Sequence, residues 1–177
     1  MRPRLISQRT IYRGRIIRLI REVLEADGRR MVRETVQHPG AVVIAPMLDR
    51  SRMIFVRQYR RAVKRRLLEL PAGTLDPGER RLECARRELE EEPGWRAKRW
   101  QRLTQFYAAP GFISEQLTVF LAQGLTKTQA HPEPDESLQP VIVPVARALA
   151  LIRSGGICDA KTIIGVLWAD ELMRQRR

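Results

Sequence analysis

Histidine and cysteine are nearly missing from this chain. Its 177 residues include two of each, His38, His131, Cys84 and Cys158. Two cysteines without metal-ligand spacing make neither a disulfide framework nor a zinc site, and read as buried thiols of a reducing cytoplasm. Two histidines leave a histidine-built metal centre or a Ser-His-Asp triad almost nothing to work with. Lysine is scarce as well: positions 64, 98, 127 and 161 hold all of it, so 29 of the 33 basic residues are arginine. Long apolar runs are lacking. AVVIAPML at 41–48 and PVIVPVARALALI at 140–152 are too short or too interrupted to span a bilayer. The opening MRPRLISQRT has no apolar core of the kind a secretory signal needs. The expectation is a cytoplasmic protein with no membrane partner.

What is present is charge and a core. Apolar residues make up 44% and charged residues 30%, the balance of a soluble globular domain, and the length suits one such domain with a small extension. The 33 basic residues against 20 acidic give a formal net charge of +13. Such a surface favours anionic ligands, from nucleotides to nucleic acid. The arginines are spread along the chain rather than gathered in a tail, so the case for nucleic acid is weak.

From Arg9 to His38 the pattern is β-rich, with Asp27-Gly28 as a hairpin turn. HPG at 38–40 breaks the chain and suggests a boundary, with an extension over 1–38 and the main domain over 39–177. AVVIAPML reads as a buried strand, and MIFVRQYR as a strand alternating apolar and polar residues. RAVKRR reads as a basic connector, and LLELPAGTLDPGER as rich in loop formers. A helix is predicted from about Glu79 to Glu92. WQRLTQFYAAPGF reads as a strand entering a Pro-Gly loop, LTVFLAQ as a further strand, and HPEPDESLQP as a surface loop. VIVP follows as a short strand, then VARALALIRSG as a helix, then a terminal helix capped by Asp159. Strands around one central helix, followed by terminal helices, point to a mixed α/β domain.

The central helix holds the densest acid of this basic chain, four glutamates at 88, 90, 91 and 92. On a helix Leu82, Ala85 and Leu89 form the inward stripe. Glu88, Glu91 and Glu92 share one arc beside it, and Glu90 points to solvent. Clustered carboxylates repel one another and raise each other's proton affinity. A hard divalent cation would offset this, since Mg²⁺ takes oxygen ligands from a few carboxylates together with phosphate. Arg87, four residues before Glu91, can hold one carboxylate by a salt bridge. Taken alone, the run could equally be a solvated helix end.

Its surroundings decide between the two. Gly73, five residues, Glu79, seven residues, then Arg87-Glu88-Leu89-x-Glu91-Glu92-x-Gly94-Trp95 resembles the Nudix box at every defined position. The resemblance implies an α/β/α sandwich in which the box is a loop-helix-loop binding Mg²⁺ or Mn²⁺. It also implies attack of water on a nucleoside diphosphate linked to another group. Position 93 departs from such boxes, which carry a helix-compatible residue there. Proline lacks the N–H and biases Glu92 away from helical dihedrals. Either the helix stops one residue early with the Glu92 carboxylate still in reach, which the helix stop at Gly94 favours, or metal affinity is weakened.

Outside the box, VRQYR at 56–60, ELPAG at 69–73 and APGFISE at 109–115 resemble the ADP-ribose pyrophosphatase branch, as does Pro110, fifteen residues after Trp95. The N-terminal strands look like the dimerising extension of that branch, which implies a homodimer. Carried over by position, the resemblance assigns metal binding to the Ala72 carbonyl and to Glu88, Glu91 and Glu92. It makes Glu91 a bridging or orienting partner among these ligands, Glu115 the base or water-orienting group and Arg60 a diphosphate contact. The implied catalytic set is Glu115, Glu91, Glu92 and Arg87. Glu79 is read as supporting rather than ligating, and Glu69 as a partner for an arginine. Tyr107 and Phe112 flank the loop and could face an adenine, though core packing suits both. The implied substrate is ADP-ribose, cleaved to AMP and ribose 5-phosphate. Open alternatives are a nucleotide sugar, a dinucleoside polyphosphate or flavin adenine dinucleotide, and a non-catalytic binding module.

Overall fold

The computed structural model describes residues 3–131 and 138–175. It divides into two compact units, Met1–Gly40 with Tyr107–Gln116, and Ala41–Phe106 with Leu117–Arg177.

The smaller unit is built on β1 (Arg4–Arg13), β2 (Arg18–Ala26) and β3 (Arg29–Gln37), antiparallel in that order. Asp27 and Gly28 make the turn between β2 and β3, at φ 51° and 70°. Two left-handed residues give a two-residue turn the twist of its strands. Every residue of β1 is exposed, and Ile20 is the buried residue of β2. The segment after Tyr107 is stitched to the end of β3. Val36 N–H donates to the Phe112 carbonyl at 2.7 Å, and Ser114 N–H to the Val36 carbonyl at 2.9 Å.

The larger unit contains β4 (Ala41–Pro46), β5 (Arg52–Arg60), β6 (Arg65–Glu69), β7 (Ala72–Thr74) and α1 (Arg81–Glu91). Then come β8 (Trp95–Tyr107), β9 (Gln116–Lys127), β10 (Leu138–Pro144), α2 (Val145–Arg153) and α3 (Ala160–Gln175). Its mixed sheet runs β7-β4-β9-β8, with β4 parallel to β9 and antiparallel to β7. A second, antiparallel sheet runs β10-β5-β6.

The fully buried strand β4 explains the layering. Successive side chains of a strand face opposite ways. Val43 and Ala45 enter one core with Val119 and Leu121 of β9 and Val166 and Ala169 of α3. Val42 and Ile44 enter another with Phe120 and Ala122 of β9 and Cys84, Ala85 and Leu89 of α1. Helices thus cover both faces of the mixed sheet, the expected α/β/α sandwich.

Several expectations need correcting. RRLLE at 65–69 and AGT at 72–74 are strands, not connector and loop. Both are short, and pairing with β5 and β4 supplies what their own pattern does not. β5 does not alternate: Met53, Ile54, Phe55 and Val56 are all buried because both of its faces are covered. The strand around VIVP begins three residues earlier, at Leu138, and positions 132–137 of the expected surface loop lie outside the described residues. Cys158 is exposed rather than buried, since it sits in the short link before α3.

Candidate active site

Helix α1 turns Cys84, Ala85 and Leu89 into the core, while Leu82 is only partly buried. Glu88 is drawn in with them, 9% exposed, because its carboxylate passes over the strand β7. A Cβ on Gly73 would collide with that carboxylate. The glycine that opens the motif therefore makes room for the first glutamate of the cluster.

Arg87 organises the acids. Its Nη1 donates to Glu88 Oε1 at 2.7 Å and to Glu91 Oε2 at 3.0 Å. Its Nε and Nη2 donate to the two oxygens of Glu79 at 2.9 and 3.1 Å. The guanidinium beside Glu79 holds that carboxyl down at about 2. Arg87 in turn is held more firmly protonated, first by the Glu79 bond. Glu79 also accepts the Asp76 N–H at 3.1 Å, which ties it into the loop before the helix. Glu90 points away and pairs with Arg96 at 2.8 Å. Burial, then the negative fields of Glu79 and Glu88, push the Cys84 thiol up, so it stays a neutral thiol and not a nucleophile.

Glu92 meets the proline problem in an unexpected way. Helix α1 stops at Glu91, one residue early, yet Glu92 keeps helical dihedrals, φ −75° and ψ −69°. Its N–H still reaches the Glu88 carbonyl at 3.1 Å. Its carboxylate turns inward, 4% exposed, and accepts the Ala72 N–H at 3.1 Å. These two bonds outweigh the bias that Pro93 imposes. Gly94 then turns the chain at φ +76°, where a Cβ would stand 3.0 Å from the Thr128 carbonyl oxygen. A residue with a side chain is strained in that conformation.

A second ionic cluster involves β5, β6 and α3. Arg60 donates through Nε and Nη2 to the two oxygens of Glu69 at 2.8 and 2.7 Å. Lys161 Nζ reaches Glu69 at 2.5 Å and Asp159 at 2.9 Å. Burial alone would push the Glu69 carboxyl up, but Arg60 and Lys161 bring it below its ordinary value. Arg60 is held charged first by Glu69, with the charges of Glu92 and Asp159 adding to it. Arg60 thus lies within the field of the acidic cluster.

A family profile described as NUDIX domain matches residues 37–162. The chain belongs to the Nudix family. The ADP-ribose pyrophosphatase of Bacillus subtilis (strain 168) is 37% identical over 169 residues, 94% of this chain and 91% of that protein. The ADP-ribose pyrophosphatase of Mycobacterium tuberculosis (strain ATCC 25618 / H37Rv) is 41% identical over 167 residues, 92% of this chain and 80% of that protein. A crystal structure of an ADP compounds hydrolase superposes with a TM-score of 0.88 at 26% identity, covering 99% of this chain and 96% of that one. The Nudix fold and the enzyme class read from the sequence agree with these matches.

Nudix hydrolases work with a divalent metal ion, and the donor chemistry of this site fits one. Glu88 and Glu91 put oxygens within 3.0 Å of one Arg87 nitrogen, and Glu92 lies buried against Ala72. These are hard oxygen donors of the kind such ions take. Among the described residues no three His, Cys, Asp or Glu side chains already form a ligand cage. The guanidinium of Arg87 stands between two of the carboxylates instead.

The Nudix unit therefore gathers Ala72, Arg87, Glu88, Glu91 and Glu92, with Arg60 in their field. Glu115 and Phe112 belong to the smaller unit. There Glu115 Oε1 lies 3.9 Å from His38 Nε2. Phe112 and Tyr107 are 59% and 54% exposed, so neither packs in a core. Arg60 is not a loose cation but half of a bidentate pair. Sequence reasoning missed Lys161 altogether and saw Asp159 only as a cap. Asp159 does cap α3, accepting the Thr162 N–H at 3.0 Å, but Glu69 and Lys161 are 92 positions apart. The available signal was the cap itself, which places Lys161 in the first turn of the helix.

Proposed function

We propose that this chain hydrolyses the pyrophosphate bond of ADP-ribose to AMP and ribose 5-phosphate, using Mg²⁺ or Mn²⁺. The observation that carries this reading is the likeness to two ADP-ribose pyrophosphatases over more than nine-tenths of the chain, joined to a complete set of box carboxylates. In the reaction, water adds across the P–O–P bridge: one phosphorus gains the hydroxyl and the bridging oxygen leaves with the other.

Glu88, Glu91 and Glu92, with the Ala72 carbonyl, would hold the metal, which when bound neutralises the diphosphate and lowers the pKa of a bound water. Arg87 holds Glu88 and Glu91 in place through its shared Nη1. The Ala72 N–H fixes Glu92. Arg60 offers the diphosphate a guanidinium that Glu69 holds in a set orientation. By resemblance, Glu115 orients or deprotonates the attacking water, and Phe112 offers a face to the base.

The same reading makes residues 1–38 a dimerising extension and the protein a cytoplasmic homodimer. In support, β1 is exposed along its whole length, with Leu5, Ile11 and Tyr12 among its exposed apolar side chains. Exposed apolar side chains that form a contiguous patch mark interaction sites. Among the described residues no helix is long and apolar enough to cross a membrane. The test is chromatographic analysis of products from ADP-ribose, with GDP-mannose and flavin adenine dinucleotide in parallel. Preference for either of those would replace the substrate while leaving the chemistry.

A further inference from the structure

We propose that Lys161 is a positioning residue for Arg60, acting through the buried carboxylate of Glu69, so that the first turn of α3 helps to set the diphosphate subsite. This rests on the reading that Arg60 contacts the diphosphate.

Glu69 is 1% exposed at its side chain, and two cations converge on it, Arg60 at 2.7 Å and Lys161 at 2.5 Å. Lys161 is only 16% exposed and also touches Asp159 at 2.9 Å. Asp159 is pinned by the Thr162 hydroxyl at 2.5 Å, and that hydroxyl accepts the Leu70 N–H at 2.9 Å. The cluster thus locks α3 to the residue beside Glu69, two positions before Ala72. An exposed ion pair would contribute little. Buried charges of this kind are held in fixed geometry, and removing one partner leaves its counterpart uncompensated.

The geometry shows what Lys161 does for Arg60. Arg60 spends Nε and Nη2 on Glu69, and the bidentate pair leaves Nη1, with its two N–H groups, outside it. The rigid fork then presents a fixed donor edge for a phosphate. Charge completes the argument. Arg60 and Lys161 balance Glu69 and Asp159. Without Lys161 the cluster carries a net negative charge, and Glu69 draws on Arg60 alone. The Arg60 guanidinium would then be neutralised more fully by Glu69 and held less firmly, so it would offer the diphosphate less charge.

The experiment is a double-mutant cycle on the full chain with Lys161→Met, Arg60→Gln and the double variant, plus Lys161→Arg as the conservative replacement. Loss of one charged contact acting on substrate binding should raise KM for ADP-ribose about tenfold, with kcat within about threefold. In the Arg60→Gln background the same substitution should change KM by less than about twofold, and Lys161→Arg should restore most of the loss. Effects that multiply in the double variant, or a fall in kcat at unchanged KM, would overturn the proposal. Should Lys161→Met fail to fold in a thermal melt, Lys161→Gln, which keeps a donor for Glu69, carries the same comparison. If the native protein leaves ADP-ribose intact, the functional reading falls separately. The cycle is then read from calorimetric binding of inorganic pyrophosphate, where additive Kd shifts count against Lys161 and non-additive ones support it.

Discussion

The Ala72 N–H donates to Glu92 Oε2 at 3.1 Å, across twenty positions of sequence. This bond joins the strand before the box helix to the last glutamate of the box. It also holds the carboxylate inward next to a proline that would otherwise pull its backbone out of the helix. Pro93→Ala should therefore change little. The expected kcat/KM stays within about threefold of native, because Glu92 already has helical dihedrals and the anchoring bond does not involve position 93. A steady-state comparison checks it; a gain of an order of magnitude would show that Pro93 misplaces the carboxylate.

Gly73→Ala should be far more damaging. The new Cβ would overlap the Glu88 carboxylate, and strand and helix are both packed there. Overpacking of this kind costs about 1–3 kcal/mol. Thermal melts should show the loss, and metal titration should show weakened binding, since Glu88 must leave its place. Native-like stability together with native-like affinity would contradict the close approach.

The Arg87–Glu79 pair predicts an acid limb. Glu79 is lowered from 4.5 to about 2, first by its bond to Arg87. A depressed carboxyl contributes stability above its unfolded value and loses it as pH falls through the folded one. The contribution is thus intact above pH 4.5 and gone below about pH 2. Arg87→Met should reduce the slope of stability against pH within that window. Urea unfolding midpoints at several pH values measure it, and an unchanged slope would detach Glu79 from Arg87.

The exposed strand β1 predicts assembly. Sedimentation of the native chain should give a dimer, and deletion of residues 1–38 a monomer. A native monomer would remove the role assigned to the extension.

The reading of the sequence succeeded where local pattern and final structure coincide. The Asp27-Gly28 turn, the buried β4 and the Arg87–Glu91 pair are all consequences of short-range pattern. The motif spacing from Gly73 to Trp95 carried the family, since it records one loop-helix-loop. β6 and β7 were invisible because their partners, not their own residues, make them strands. Lys161 was invisible for a similar reason: its meeting with Glu69 depends on how α3 docks, 92 positions away. For Phe112 the sequence leaves both an adenine contact and a core position open, and the side chain sits exposed in the loop bound to β3.

The most direct test mixes the native protein and Glu92→Gln with ADP-ribose and Mg²⁺ and separates the products by chromatography. Gln keeps an acceptor for the Ala72 N–H while removing the charge, so both proteins should fold alike. The account predicts AMP and ribose 5-phosphate from the native chain, lost on chelation, with the rate of Glu92→Gln down by about a hundredfold or more. No turnover by the native chain, or equal turnover by both proteins, would contradict it.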